Sequence, residues 1–308
     1  MMMNYREDFH DLIGNTPLVK LGHLGFPEGV NVFAKLELLN PAGSVKDRTG
    51  RAMVEAAERS GQLKPGGTII EATAGNTGIG IAFAALNKGY RVIFAVPLKF
   101  SKEKIAIMKA LGAEIIQTSR EGGMLEARAK ADELHAQIPN SVVMGQFINP
   151  ANPAAHYETT GPEIYDDLEG QIDYFVMGAG TGGTFSGVTR YLKERNPNIK
   201  GVLADPVGST IGGGEHADYE IEGIGNDFIA DTMDISLVDM VYKVSDADAF
   251  GAVKELALRE GILAGSSSGA ALAGVKKLVA DGYKGNIVTL FPDRADRYLS
   301  KGIFDWGE

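Results

Sequence analysis

Cysteine is absent from the 308 residues. That excludes a disulfide framework, thiolate metal sites, iron–sulfur clusters and a cysteine nucleophile together, and it agrees with a reducing compartment. Histidine is scarce. The five (His10, His23, His135, His156, His216) form no i, i+4 pair, so the His-Glu-x-x-His zinc signature is missing, and no Gly-Lys-Ser/Thr stretch offers a P-loop. Each histidine reads as a surface or capping residue, and no metal is expected. No apolar run reaches about 18 residues, so no membrane-spanning helix is expected. The opening stretch Met1–Asp11 carries acids and His10 where a signal peptide would carry an apolar core. Basic residues number 30 against 40 acidic ones, and the net charge of −10 argues against nucleic acid or an anionic membrane as partner. The expectation is a cytoplasmic protein that acts on small molecules.

What is abundant is glycine, with 40 residues, roughly twice the usual share. Several backbone-built ligand loops are therefore expected. From Thr68 onward, short β-branched runs alternate with amphipathic or alanine-rich segments. Strands are predicted at Thr68–Thr73, Arg91–Val96, Glu114–Thr118, Val142–Phe147, Tyr174–Met177, Lys200–Ala204, Val241–Val244 and Asn286–Phe291. Helices are predicted between them, among them Ser101–Leu111 and Met124–Ile138. Strict alternation means βαβ units, hence an α/β fold with parallel sheets covered by helices on both faces. The two prolines of Asn149–Pro153 mark a soft boundary between two glycine-rich halves, with a ligand expected between them. The glycine- and acid-rich stretch Pro206–Asp227 is irregular, and so long a loop is either functional or an ordinary surface excursion.

Four glycine loops follow a strand or open a helix. In Asn40-Pro-Ala-Gly-Ser-Val-Lys-Asp-Arg48, Ser44 is a candidate N-cap and Lys46 falls in the first helical turn. The field of a helix N-terminus disfavours a cation and would help depress the lysine pKa, which suits a neutral catalytic amine; a solvated lysine is the alternative. Thr73-Ala-Gly-Asn-Thr-Gly78 closes a strand and opens the helix Ile79–Asn87, so its amides with Thr73, Asn76 and Thr77 form a cradle for a carboxylate or phosphate. Gly178-Ala-Gly-Thr-Gly-Gly-Thr184 likewise suits a phosphate. It also fits the dinucleotide pattern Gly-x-Gly-x-x-Gly, with Asp205 about 22 residues on as a ribose-binding acid. Gly265-Ser-Ser-Ser-Gly269 matches a nucleophile elbow by letter, but no histidine follows His216, so a hydrolase triad is excluded. Its serines serve as helix caps or face a ligand.

In this order and spacing the loops resemble the cysteine synthase / cystathionine β-synthase family of pyridoxal-phosphate enzymes, over nearly the whole chain from Ile13-Gly-Asn-Thr-Pro-Leu18 to Pro292-Asp293. The resemblance implies two parallel-sheet, three-layer α/β domains of the tryptophan-synthase-β type (fold type II). These would be a smaller domain over residues 41–148 and a larger, phosphate-binding one over 1–40 plus 149–308, with pyridoxal 5′-phosphate between them. It implies that Lys46 carries the cofactor as a Schiff base and shuttles the substrate α-proton. Gly180, Thr181, Gly182, Gly183 and Thr184 would hold the phosphate. Asn76 would bind the ring hydroxyl oxygen, and Ser267, with Ser268 as the alternative, would face the ring nitrogen. Thr73, Ala74, Gly75, Thr77, Gln146 and Gly223 would bind substrate.

The implied reaction is β-replacement on O-acetylserine or serine through an aminoacrylate. The acceptor would be homocysteine, giving cystathionine, or sulfide, giving cysteine, in amino-acid biosynthesis and transsulfuration. Strict cysteine synthase is the alternative within the family, and a nicotinamide oxidoreductase built on Gly178–Gly183 and Asp205 the distant one. Departures carry weight. Ala74 replaces a serine usual in cysteine synthases, and Arg294 follows Pro292-Asp293 where serine is usual. Asp205–Ser209 and Glu222–Phe228 look like the cystathionine-forming branch, with Asn226 and Asp227 placed to read an acceptor amino group. A homodimer is implied, while the heme-binding segment and regulatory domains of animal enzymes, and control by adenosyl-methionine, are not expected.

Overall fold

Strands β1 (Leu18–Lys20) and β2 (Val30–Lys35) precede helix α1 (Lys46–Arg59), after which strand and helix alternate. The computed structural model describes residues 5–73, 75–98 and 101–307. Next come β3 (Thr68–Ala72), α2 (Asn76–Ala85), β4 (Arg91–Pro97), α3 (Lys102–Ala110), β5 (Glu114–Thr118), α4 (Gly123–Gln137) and β6 (Ser141–Val143). A helical run follows, made of α5 (Ala151–Ala155), a π-helical turn (His156–Thr160) and α6 (Gly161–Asp167). The chain then forms β7 (Tyr174–Met177), α7 (Gly183–Arg195), β8 (Lys200–Pro206), β9 (Met240–Val244), α8 (Asp246–Glu255), α9 (Ser266–Ala280) and β10 (Gly285–Leu290).

Two units result. Of the described residues, 5–13 and those of Lys46–Asn152 make up one, Gly14–Val45 and 153–307 the other. Residues 5–13 thus fall with the first unit, whereas the sequence reading placed 1–40 with the larger domain. The reason is local. The His10 ring lies 2.6 Å from the Phe83 carbonyl oxygen through Nε2, and Phe9 meets the Phe83 ring edge-on.

The first unit holds a parallel sheet in the order β5-β4-β3-β6. Every residue of β3 is buried, as a strand covered on both faces requires. On one face, Ala127 and Ala131 of α4 pack against Ile70, Ile93 and Ala95; the two alanines, four apart, share one helix face. Helices α1 and α2 touch backbone to backbone. A methyl group at Gly50 would overlap the Gly80 carbonyl, and one at Gly80 would overlap the carbonyl oxygen of Lys46. Only glycine permits that approach.

The second unit holds a six-stranded sheet in the order β1-β2-β10-β7-β8-β9, parallel except for the antiparallel edge strand β1. One face packs Val176, Val202 and Ala204 against Leu272, Ala273 and Val275 of α9, and the other packs Phe175 and Leu203 against Phe185 and Val188 of α7. Both units are therefore three-layer α/β structures.

Two boundaries differ from the sequence reading in ways that move functional residues. Strand β6 stops at Val143 instead of continuing to Phe147, because Gly145 takes φ +65° and its amide turns to a side chain of β3. Helix α2 opens at Asn76 instead of Ile79, which puts Asn76 and Thr77 into its first turn.

Candidate functional site

In the first unit, Lys46 is the opening residue of α1 and is half-buried. The Gly50–Gly80 crossing seats its carbonyl against α2, so the lysine backbone and the loop that begins α2 form one rigid piece. Gly75 is the N-cap of α2, and its amide donates to Thr73 Oγ1 at 3.3 Å. Thr77 Oγ1 donates to Gln146 Oε1 at 2.6 Å. That bond orients the buried Gln146 side chain and occupies its carbonyl, so what it can offer a ligand is the NH₂, a donor suited to an anion. Asn152 Nδ2 donates to the Gln146 carbonyl at 2.9 Å and braces the same turn. Asn76 lies in the first turn, where helix amides lack intrahelical partners. The structure thus brings Lys46, Thr73, Gly75, Asn76, Thr77 and Gln146 together within one unit, while Ala74 lies outside the described residues.

In the second unit, Gly178–Thr184 runs from the end of β7 into α7. Three successive carbonyls of the loop point into the protein. Ala179 accepts from the Gly225 amide (2.7 Å), Gly180 from Asn226 Nδ2 (2.8 Å) and Thr181 from Thr232 Oγ1 (2.6 Å). With the carbonyls so held, the amides at the start of α7 make an electropositive cradle fitted to a phosphate. The glycines are required by space. A methyl at Gly180 would come within 2.5 Å of the Gly223 carbonyl oxygen, and Gly182 sits at φ +82° against Met233. Gly223 itself is exposed, at φ +86°.

The serine loop opens α9, with Gly265 as N-cap. Ser266 Oγ accepts from the Glu222 amide at 3.0 Å. Among the described residues, Ser267 makes no side-chain hydrogen bond, and the buried Ser268 hydroxyl also lacks a partner. Two hydroxyls there have unused capacity, in keeping with a ligand-facing serine more than with simple caps.

Several expectations are corrected. Asn226 has a structural task besides the acceptor role expected of it, since one of its Nδ2 hydrogens goes to the Gly180 carbonyl while Oδ1 is not used in that bond. Asp205 cannot hold a ribose, because it is fully buried with Oδ2 bound by Lys243 Nζ (2.5 Å) and the Gly212 amide (3.0 Å). The oxidoreductase reading therefore loses its acid. Arg294 Nε is turned to the Leu38 carbonyl at 2.9 Å. The stretch Pro206–Asp227 is irregular but pinned, with Ile221 and Ile224 in the core and the Ile221 amide donating to Asp246. His156, read as a surface or capping residue, is fully buried in the π-helical turn. Its ring nitrogens lie 2.9 Å from Thr160 Oγ1 and 3.2 Å from Thr184 Oγ1, so it orients a hydroxyl of the phosphate loop. Nothing local marked it, because its partners are fixed only in three dimensions.

A parallel α/β chain with a glycine-built phosphate cradle, a helix-opening lysine and an anion-binding strand-to-helix turn has the parts of a pyridoxal-phosphate enzyme. A sequence model of the family described as "Pyridoxal-phosphate dependent enzyme" matches residues 9–293, and the chain belongs to that family. It is similar to the O-acetylserine dependent cystathionine beta-synthase of Bacillus subtilis, with 52% identity over 97% of this chain and 98% of that protein. It is also similar to a cysteine synthase of Helicobacter pylori, with 46% identity over 96% and 97% of the two chains. A crystal structure described as the O-acetylserine dependent cystathionine beta-synthase from Helicobacter pylori superimposes with a TM-score of 0.93 at 44% identity, over 98% of this chain and all of that one. Among the described residues no helix is long and apolar enough to cross a membrane, and no cluster of His, Asp and Glu is placed to hold a metal.

Proposed function

We propose that the protein is a β-replacement enzyme that takes O-acetylserine as donor and homocysteine as preferred acceptor, with sulfide accepted as well. The observation that carries the reading is the locking of Lys46 to the Thr73–Thr77 turn through the Gly80 contact, with Gln146 held beside that turn by Thr77. It couples an amine to a carboxylate cradle. When bound, pyridoxal phosphate supplies the electron sink that acidifies the substrate Cα–H and lets the β-substituent leave. The chain's residues do the rest. Lys46 Nζ holds the cofactor and then accepts and returns the Cα proton. The amides and hydroxyls of Gly180–Thr184 bind the phosphate, Asn76 binds the ring hydroxyl oxygen, and Ser267 faces the ring nitrogen. Thr73, Gly75, Thr77 and the Gln146 NH₂ bind the α-carboxylate; Ala74 completes that set. Gly223 borders the acceptor.

The preference for homocysteine is supported by the 52% identity to the Bacillus subtilis relative. The second reading, strict cysteine synthase, is favoured by the similarly named Helicobacter pylori relative. Visible absorbance separates them. O-acetylserine is expected to convert the cofactor band, and homocysteine to restore it with release of cystathionine. Restoration by sulfide alone makes the protein a cysteine synthase, and the absence of any band after loading with pyridoxal phosphate rejects both. We also read the protein as a cytoplasmic homodimer; light scattering is expected to give twice the chain mass.

Gly180→Ala tests the cradle. The added methyl must displace either the loop or the Gly223 carbonyl. Such overpacking costs about 1–3 kcal/mol, so binding of pyridoxal phosphate by the apoprotein should weaken on the order of 10- to 100-fold, with helix content unchanged by circular dichroism.

A further inference from the structure

Strand β3 reads Thr-Ile-Ile-Glu-Ala, and its one charged residue, Glu71, is only 3% exposed. A carboxylate in the middle of a buried strand requires partners. Glu71 finds them in the turn that ends β6: Oε2 accepts from the Gly145 amide at 2.7 Å, and Oε1 from the Gln146 amide at 3.4 Å. The Gln146 side-chain amide also stabilises the charged form. These bonds cause the early end of β6, since a strand continuing to Phe147 would aim the amides of 145 and 146 elsewhere. Gly145 provides the left-handed φ of +65° that the turn needs. Glu71 borders a cavity of about 220 Å³ whose lining also includes Gln146, Phe147, Arg128 and Asp132.

We propose that Glu71 is a positioning residue, holding the Gly145–Gln146 turn so that the Gln146 NH₂ is presented to the substrate carboxylate. The proposal rests on Gln146 as a carboxylate ligand, as read above. Thr77 and Glu71 then grip Gln146 from two sides, Thr77 on the side-chain carbonyl and Glu71 on the backbone amide and one NH₂ hydrogen, which leaves the second NH₂ hydrogen for the substrate.

The device is pH-sensitive. Burial pushes the Glu71 carboxyl up from 4.5 to about 7, against the amides of Gly145 and Gln146, the Gln146 side chain and the Arg128 charge, which favour ionisation. The charged groups lining the cavity are Arg128 and Asp132, both on α4; Arg128 stacks on Phe147 at 4.6 Å from the ring centroid. The other lining residues carry no titratable group. Ionised Glu71 accepts both amides, whereas the protonated acid gives up acceptor strength and loosens the turn. Substrate binding should therefore weaken as pH falls through about 7. Stability runs the other way. A pKa raised on folding gives stability that is present below 4.5 and lost as pH rises through about 7.

The test uses the loaded enzyme and O-acetylserine at pH 5.5–7.5. Wild-type KM should rise several-fold toward low pH with kcat nearly constant. Glu71→Gln should show KM raised roughly five- to tenfold at pH 7.5, as loss of a charge-assisted acceptor predicts, with kcat within about twofold. Its pH dependence should be flat and its cofactor band unaltered. Glu71→Asp, which keeps the charge, should recover part of the KM and of the pH dependence. In hydrogen exchange of the cofactor-free protein, the Gly145 and Gln146 amides should lose protection in Glu71→Gln. The melting temperature of wild type relative to Glu71→Gln should fall as pH rises from 4.5 to 7.

Unchanged KM and exchange in Glu71→Gln overturn the proposal, as does loss of kcat and of the cofactor band with KM intact. If Glu71→Gln does not fold, the wild-type profile and Glu71→Asp decide. Gln146→Ala separates the two readings. Raised KM there with normal KM in Glu71→Gln removes Glu71 alone, while normal KM in Gln146→Ala removes both.

Discussion

Replacing Lys46 by alanine is expected to abolish the visible band of lysine-held pyridoxal phosphate and to lower β-replacement by at least 10³-fold, on the order of what loss of a positioned nucleophile and proton carrier removes. The physical basis is local. Lys46 begins α1, its backbone is fixed by the contact with Gly80, and it adjoins the turn that begins α2. Removing the side chain leaves that packing intact, so the variant should keep its melting behaviour and still take up pyridoxal phosphate non-covalently through the Gly180–Thr184 cradle. Absorbance and steady-state rate, measured on the same preparation, check both halves. A variant that keeps either the band or more than a small fraction of the rate means that another amine does this work.

Gly80→Ala is expected to produce a large loss of stability, about 3 kcal/mol or more. In a protein of this size that lowers the melting temperature by roughly 6 °C or more. The new methyl would overlap the main-chain carbonyl of Lys46, and a backbone atom has no rotamer to escape into. One helix must shift, carrying Lys46 away from the Thr73–Thr77 turn. Activity should therefore fall even at temperatures where the variant is folded. Gly75→Ala is the control. Nothing lies within 4 Å of a methyl there, and its stability should change by less than about 1 kcal/mol. Thermal unfolding of the two variants side by side tests the packing. A Gly80→Ala protein as stable as Gly75→Ala would mean that the crossing is looser than its geometry.

Much of the architecture was legible because alternation is a local property. Short apolar strands such as Tyr174–Met177 and Lys200–Pro206 stand out against their helices, and the sheets follow from βαβ handedness. The phosphate loop and the lysine loop were legible for the same reason, since glycines bunched between a strand and a helix have few other uses. Glu71 did carry a signal, a lone charge inside an apolar run, but a strand pattern does not say what satisfies it. The turn at Gly145 was hidden because Val142–Phe147 has the composition of a strand, and only the bonds to Glu71 end it early. The second task of Asn226 was hidden: an amide in a glycine-rich loop looks like a reader of polar ligands, and nothing local shows that it also braces Gly180 from 46 positions away.

The order of residues therefore determined the α/β class, the positions of the glycine loops, the lysine and the absence of a cysteine thiol, because each depends on residue type and spacing within a few turns of chain. Tertiary structure alone decided which polar groups are spent and which are available. Asp205 Oδ2 is held by Lys243, one Asn226 donor by the phosphate loop and the Gln146 carbonyl by Thr77, while the Ser267 hydroxyl stays unspent. Most buried polar atoms are paired, and the partners named here lie tens of residues away, at distances that only the packing of helices and sheets brings down to a hydrogen bond.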